Sequence, residues 1–298
     1  MTSVAEASRE TRRARFGPGA LTLPAAFGLL LFFAAPLGTF FLYSFLTNSL
    51  YEVSRPLTLE GYSDALSSEV NRTLGVNSLV VGLCAAAATV VIGLPVAYWL
   101  RFAAGRWQVL VLFLITATLF ASYLVRIFAW QSILGGNGLL NSGLRRLGVI
   151  DEPLGFLLYN RFSVTVALVH IFLPYVVLVL YAGFRPVSPA LVEAAQDLGA
   201  NAFTRWRRVI LPLVAAPAVT AFMLVFVLSA ADYVTPQFVG GTDGALLGVR
   251  IQAALTGVGN WPLGAALSFL MLAAFLLCYL LTVLALRLLR LDRIRFVS

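Results

Sequence analysis

Six separate stretches of about 20 apolar residues dominate this sequence, and a helix needs about that length to cross a ~30 Å hydrocarbon core. They run from Leu21 to Leu46, Leu74 to Leu100, Trp107 to Val125 with continuation to Ser132, Phe162 to Phe184, Val209 to about Asp232, and Trp261 to Leu286. Lipid offers no hydrogen-bond partner to an open backbone, so each stretch is expected as a helix. Composition points the same way. Of 298 residues, 60% are hydrophobic and 11% charged, whereas soluble domains run near 45–50% and about 25%. A disordered chain, a collagen-like fibre and an ordinary soluble enzyme are excluded. The expected fold class is an all-α membrane protein with six transmembrane helices.

The first stretch is too long for a cleaved signal, and no small-residue cleavage site follows it. It is expected as a retained helix. The chain then divides into a leader (1–20), a six-helix transmembrane domain (21–286) containing the loop 185–212, and a tail (287–298).

All 21 basic residues are arginine, and the net charge is +8. Such a balance can signal nucleic acid, but here the arginines occupy short segments between apolar runs, which suits membrane orientation instead. With the leader inside, cytoplasmic segments collect Arg9, Arg12, Arg13, Arg15, Arg101, Arg106, Arg185, Arg205, Arg207, Arg208, Arg287, Arg290, Arg293 and Arg295. External segments hold Arg55, Arg72, Arg145, Arg146, Arg161 and Arg250, together with most of the acids. This asymmetry obeys the positive-inside rule with both termini cytoplasmic.

Cys84, Cys278 and His170 lie in three different apolar runs, so neither a metal site nor a redox motif is expected. Gly93-Leu94-Pro95, Pro174 and Pro217 read as kinks repaired by neighbouring helices rather than as hinges. No internal repeat supports an inverted-repeat secondary transporter.

The loop between the fourth and fifth stretches is the most informative segment. Ser188 is an N-cap candidate with Pro189 at the first helical position. Leu191, Ala194, Ala195 and Leu198 share one helical face, Gly199 suits a C-terminal turn, and a second short helix fits Ala202 to Val209. The two helices are expected to pack their small residues tightly and to direct Arg205, Arg207 and Arg208 toward water or headgroups. An interfacial linker is the plainer reading. Against it, Glu193-Ala194-Ala195 is followed by Gly199, then by Val209 and Leu211-Pro212 where the next span begins.

This pattern resembles the E-A-A-x3-G-x9-I-x-L-P signature of the integral-membrane permeases of ATP-binding-cassette (ABC) importers, with Val209 in place of isoleucine. The resemblance implies the type I importer permease (MetI-like) fold. It also implies that Glu193, Ala194, Ala195, Gly199, Val209, Leu211 and Pro212 form a coupling loop to a cytoplasmic ATPase. Further partners implied are a second homologous permease and a periplasmic or extracellular solute-binding protein, in a bacterial inner membrane. No nucleic acid and no cofactor are implied. ATP hydrolysis is assigned to the ATPase homodimer, since no G-x4-G-K-[ST] loop occurs here.

Similarity narrows further at Ser122-Tyr123-Leu124-Val125-Arg126-Ile127-Phe128-Ala129-Trp130, at Gly138-Leu139-Leu140-Asn141 and at Ala231-Asp232-Tyr233-Val234-Thr235-Pro236. These segments resemble the spermidine/putrescine permeases, though that family usually carries Gly at the position of Ala231. A polyamine is the substrate implied. An opine, an amino-acid derivative or another small solute is the alternative.

Counting residues along the spans places Arg126 and Asp232 near the outer boundary. An interior role is favoured over headgroup snorkelling or simple helix capping. The two charges are expected to pair or to share an external gate. Direct contact of Asp232 with a substrate ammonium, with Tyr233 or Trp130 as a cation–π face, is less favoured, because Arg126 repels a polyamine. His170 is expected as a buried neutral imidazole with a local partner. The outer segment Gly135 to Asn160, with a short amphipathic helix at Leu139 to Leu147, and the Tyr51 to Arg72 loop are expected docking surfaces for a binding protein. A stand-alone secondary transporter needs interior acids, and Asp232 is its only candidate. A membrane-embedded enzyme lacks H-E-x-x-H and a second acid.

Overall fold

The structure, a computed structural model, describes residues 18–49, 52–54, 57–257 and 259–288. The leader arginines Arg9, Arg12, Arg13 and Arg15, Arg55, and the tail arginines Arg290, Arg293 and Arg295 lie outside the described residues.

Helix α1 (Pro18–Tyr43) leads into a short antiparallel hairpin, β1 (Thr47–Ser49) and β2 (Glu52–Ser54). Then follow α2 (Glu60–Ser67), α3 (Glu69–Phe102), α4 (Gln108–Leu119), α5 (Tyr123–Leu134), α6 (Leu139–Arg146) and α7 (Arg161–Gly183). The remainder comprises α8 (Pro189–Asp197), α9 (Ala202–Arg205), α10 (Leu211–Ala230), α11 (Val234–Val239), α12 (Leu247–Gln252) and α13 (Trp261–Leu288). Among the described residues, five helices are long and apolar enough to cross a membrane, or six if the bent pair of α4 with α5 and α6 counts as one span. Each of the six expected stretches is helical, but the third and fifth are interrupted.

Helices α3, α7 and α10 form the core, and small residues let them approach. A Cβ on Gly82 would stand 2.7 Å from Ala230, and one on Gly93 would stand 2.9 Å from Val176. Gly183 lies directly against the ring of Pro217. Lipid tails supply no hydrophobic drive between helices, so close backbone approach of this kind is what holds them together. Helix α1 is exposed along most of its length and touches α13 through Phe40 and Phe41 on Phe269.

The third span is not one helix. It stops at Leu119 and turns by 96° before α5. The 12 residues of α4 rise only ~18 Å. Thr116 and Thr118 hydroxyls donate to the carbonyls of Leu112 and Ile115, a side-chain competition that bends helices. An apolar run carries no sign of such a turn, which is why a helix continuing to Ser132 was expected.

The fifth span differs at both ends. The helix starting at Ala202 does not stop at Val209. It runs through a π-helical turn, Trp206–Ile210, into α10. The Leu211 N–H bonds the Trp206 carbonyl, five residues back. Pro212, next in line, has no N–H to donate and crowds the preceding turn, so the helix widens there. Beyond Ala230 the span breaks at Ala231–Tyr233 and resumes as α11.

These interruptions lie near mid-span. Gly183 of α7 faces Pro217 of α10, and the two helices run antiparallel. Twelve residues along each, about 18 Å, Ile171 reaches the level of Ser229. Ile171 is near the middle of the 23-residue α7. Asp232 thus lies close to the level of the middle of α7, whereas residue counting from Leu213 indicates the outer boundary.

Candidate functional site

At one end of the bundle, α8 is delimited by the signals its sequence carries. The Ser188 Oγ accepts the Leu191 N–H at 3.3 Å, and Pro189 occupies the first turn. At the other end Gly199 adopts φ +80°. Its N–H bonds Gln196 at 2.8 Å, and the Ala200 N–H bonds Ala195 at 3.0 Å. This is a Schellman closure, which needs a left-handed residue that glycine alone supplies without strain. Asn201 caps α9 through the Thr204 N–H at 2.8 Å, and Arg205 Nη1 donates to Gln196 Oε1 at 2.6 Å, tying α8 to α9.

The expected tight packing of α8 is corrected by the structure. No residue of α8 is buried. Leu191 is 42% and Leu198 88% exposed, with Glu193 and Ala194 also outward. Val192 and Ala195 are the half-buried positions. The motif therefore has two halves. Residues 193 to 199 stand outside the bundle, while half-buried Val209 and Pro212, with the more exposed Leu211 between them, lie at the widened turn that joins the loop to α10.

The second cluster surrounds the two broken spans. Asp232 Oδ2 accepts the Tyr123 hydroxyl at 2.9 Å and the Thr235 N–H at 3.2 Å, while Oδ1 accepts the Val234 N–H at 3.0 Å. The carboxylate thus satisfies the first turn of α11, whose N–H groups would otherwise be stranded. Tyr123 also hydrogen-bonds Thr235 Oγ1 at 2.9 Å. One turn along α5, Arg126 donates to the Ile171 carbonyl and to the Ala121 carbonyl, each at 3.2 Å. Those acceptors lie beside the Pro174 kink and at the α4–α5 break. Arg126 and Asp232 share a depth but hold separate partners. The Arg126 Nε is buried without a hydrogen bond.

Trp130 packs edge-on to His170 at 5.6 Å. His170 is exposed rather than buried, because it sits on the outward face of α7, one residue before the buried pair Ile171 and Phe172. Tyr233 is turned away from this cluster and is 45% exposed. It lines a cleft of about 560 Å³ with Gln252, Thr256, Ser268, Met271 and Phe275. The carbonyls of Ala231 and Asp232 lie against Gly248 at the start of α12, where a Cβ would come within 2.8 Å of both.

Tyr123 and Thr235 were not singled out from the sequence. A signal for Thr235 existed: Asp232 three residues ahead of Thr235 and Pro236 in the first helical turn mark a helix start. Nothing local to Tyr123 marks its partnership across 109 positions. Two polar residues of α3 were also missed. Ser78 Oγ accepts the Leu247 N–H at 2.9 Å, and Asn77 Nδ2 donates to the carbonyls of Asp243 and Ala245. They satisfy the irregular backbone between α11 and α12, which lipid cannot. The amphipathic α6 appears where Leu139 to Leu147 indicated it.

Residues 89–293 match the family model described as binding-protein-dependent transport system inner membrane component. The spermidine/putrescine transport system permease protein PotB of Escherichia coli (strain K12) is 32% identical over 226 residues, covering 76% of this chain and 82% of that protein. PotB of Haemophilus influenzae is 31% identical over 213 residues, 72% of this chain and 74% of that protein. Among solved structures, a chain of a bacterial ABC transporter importing the acidic polysaccharide alginate aligns with a TM-score of 0.70 at 15% identity, covering 90% of this chain and 94% of that one.

Proposed function

The chain belongs to the inner-membrane components of binding-protein-dependent transport systems, the permease subunits of ABC importers, and from that membership we propose that it forms half of a translocation pathway for a polyamine such as spermidine or putrescine. The substrate reading rests on the similarity to PotB. The observation that carries the mechanism is the exposed α8: Leu191 and Leu198 beside Glu193 and Ala194, held outside the bundle on a capped, glycine-closed helix. Two leucines left uncovered beside small Ala194 would suit a docking surface. Two copies of a separate ATPase would supply hydrolysis, one gripping α8 and the other the equivalent loop of a second permease. This chain does not itself hydrolyse ATP.

The protein would lie in the bacterial inner membrane with both termini and α8 on the cytoplasmic side. The far end, with α6 and the loop after α1, would receive a solute-binding protein. At mid-depth, Asp232 and Arg126 would hold a gate shut by tying the broken spans to α7. Three donors, the Tyr123 hydroxyl and the Val234 and Thr235 N–H groups, already bond Asp232, so the carboxylate would chiefly position the break and have little left for an ammonium. Tyr233 would offer its ring to the passing cation, and Trp130 would brace the gate through His170. A second reading is a solute that also carries a carboxylate, such as an opine or amino-acid derivative. It is favoured by Arg126, a mid-depth cation with no carboxylate partner among the described residues.

Reconstitution with the ATPase, second permease and binding protein tests both points. Saturable, ATP-dependent uptake of labelled spermidine or putrescine is expected. Uptake of an opine with indifference to polyamines would overturn the substrate. A Gly199→Trp protein that assembles and transports normally would overturn the role of the loop.

A further inference from the structure

A cluster of aromatic rings joins the α8 loop to the spans. Tyr98 and Phe102 stand on the last turns of α3, Phe184 just beyond α7, and Trp206 opens the π-helical turn before α10. The Tyr98 ring centroid lies 5.4 Å from Trp206, 6.0 Å from Phe184 and 4.9 Å from Phe102. Phe102 meets Phe184 edge-on at 6.2 Å. Phe184 is fully buried, with Val187 and Ile210 beside it in the core.

We propose that Trp206 is the positioning residue through which movement of α8 reaches α3 and α7. The inference rests on the reading of α8 as the ATPase-docking element. Helix α8 buries nothing of its own, and the neighbours it packs on are α9 and the π-helical turn. It is tied to α9 by the Arg205–Gln196 hydrogen bond, and the Gly199 closure fixes the turn between the two helices. Arg205 is adjacent in sequence to Trp206. A push on α8 therefore arrives at Trp206 as a rigid-body displacement. From there it has two outlets. One is axial, into α10, but this route begins with a widened turn at Pro212, the softest form of helix in the path. The other is lateral, through packed rings into the ends of α3 and α7, two of the three helices that form the core. Close-packed aromatic contacts transmit displacement because they have little room to give. Trp206 is only half-buried, so it does not hold up the core as Phe184 does.

The test uses the complete transporter in proteoliposomes. For Trp206→Ala, subunits should still co-purify, substrate uptake should fall about tenfold, and ATP consumed per substrate imported should rise by a similar factor. Trp206→Phe, which keeps a ring, should restore the ratio to within about twofold. Normal uptake by Trp206→Ala overturns the inference. So does a proportional fall in uptake and hydrolysis, which would mark a docking defect. Should Trp206→Ala fail to assemble, Trp206→Leu repeats the test with the apolar volume kept, and failure of both to assemble also overturns it. Gly199→Trp is measured alongside. If that variant assembles and transports normally, the docking role of α8 has failed. If it is inactive while Trp206→Ala stays coupled, only the relay has failed.

Discussion

The hydroxyl of Tyr123 donates to Asp232 at 2.9 Å and so bridges two spans at the depth where both are broken. Tyr123 begins α5 just past the 96° turn, and Asp232 precedes α11 just past the end of α10. Each break frees backbone groups: Asp232 accepts the N–H groups of Val234 and Thr235, Arg126 donates to the carbonyls of Ala121 and Ile171, and Tyr123 holds Asp232 in place.

Removing either member should therefore loosen the other. Asp232→Ala strips the cap from α11, a loss of about 0.5–2 kcal/mol, and leaves Tyr123 without its charged acceptor. Tyr123→Phe removes one hydrogen bond to a charged group, worth about 1.5–3 kcal/mol. Thermal unfolding in lipid nanodiscs should give a double-mutant coupling of about 1 kcal/mol or more. Strict additivity would show that the bond carries no stability.

Arg126 ties the first turn of α5 to the carbonyl of Ile171. As a gate component it should matter to leakage more than to folding. Arg126→Ala proteoliposomes are expected to release preloaded substrate without ATP, with a melting temperature within a few degrees of the parent. Arg126→Lys restores a charge but a single ammonium spans two carbonyls poorly, so partial rescue is expected. A tight, ATP-dependent Arg126→Ala protein would remove Arg126 from the gate.

Tyr233 presents its ring to the cleft shared with Gln252 and Thr256. A cation–π contact is worth about 0.5–2 kcal/mol, so Tyr233→Ala should raise the KM for a polyamine by about 2–30-fold at unchanged assembly. Tyr233→Phe should stay within about twofold. Equal effects of both variants would assign the role to the hydroxyl.

Two glycines should respond to alanine for opposite reasons. At Gly199 a Cβ meets open space, and only the φ of +80° resists it, costing about 1–2 kcal/mol. Gly199→Asn should cost less, since asparagine tolerates that conformation. At Gly183 the φ is not in the left-handed region, but a Cβ would enter the ring of Pro217. Overpacking of that kind costs about 1–3 kcal/mol, and Gly183→Asn should be worse than Gly183→Ala. Melting temperatures of the four variants decide between the two rankings.

Features that depend on a residue and its near neighbours were legible in the sequence. Hydropathy over about 20 residues determined the number of spans, because lipid allows so long an apolar run few other fates. Ser188, Pro189 and Gly199 determined the ends of α8, because caps and left-handed turns are satisfied within a few residues. Only the tertiary structure decided the depth of Asp232 and Arg126, the breaks at Phe120–Ser122 and Ala231–Tyr233, and the face that α8 turns outward. Each of these depends on a group far away in the chain. The break before α11 is held by Tyr123, the turn before α5 by a side chain that also reaches Ile171, and the depth by where Gly183 meets Pro217. An apolar stretch is the same string whether the helix is straight or broken, and the difference lies in which distant partner satisfies the freed backbone.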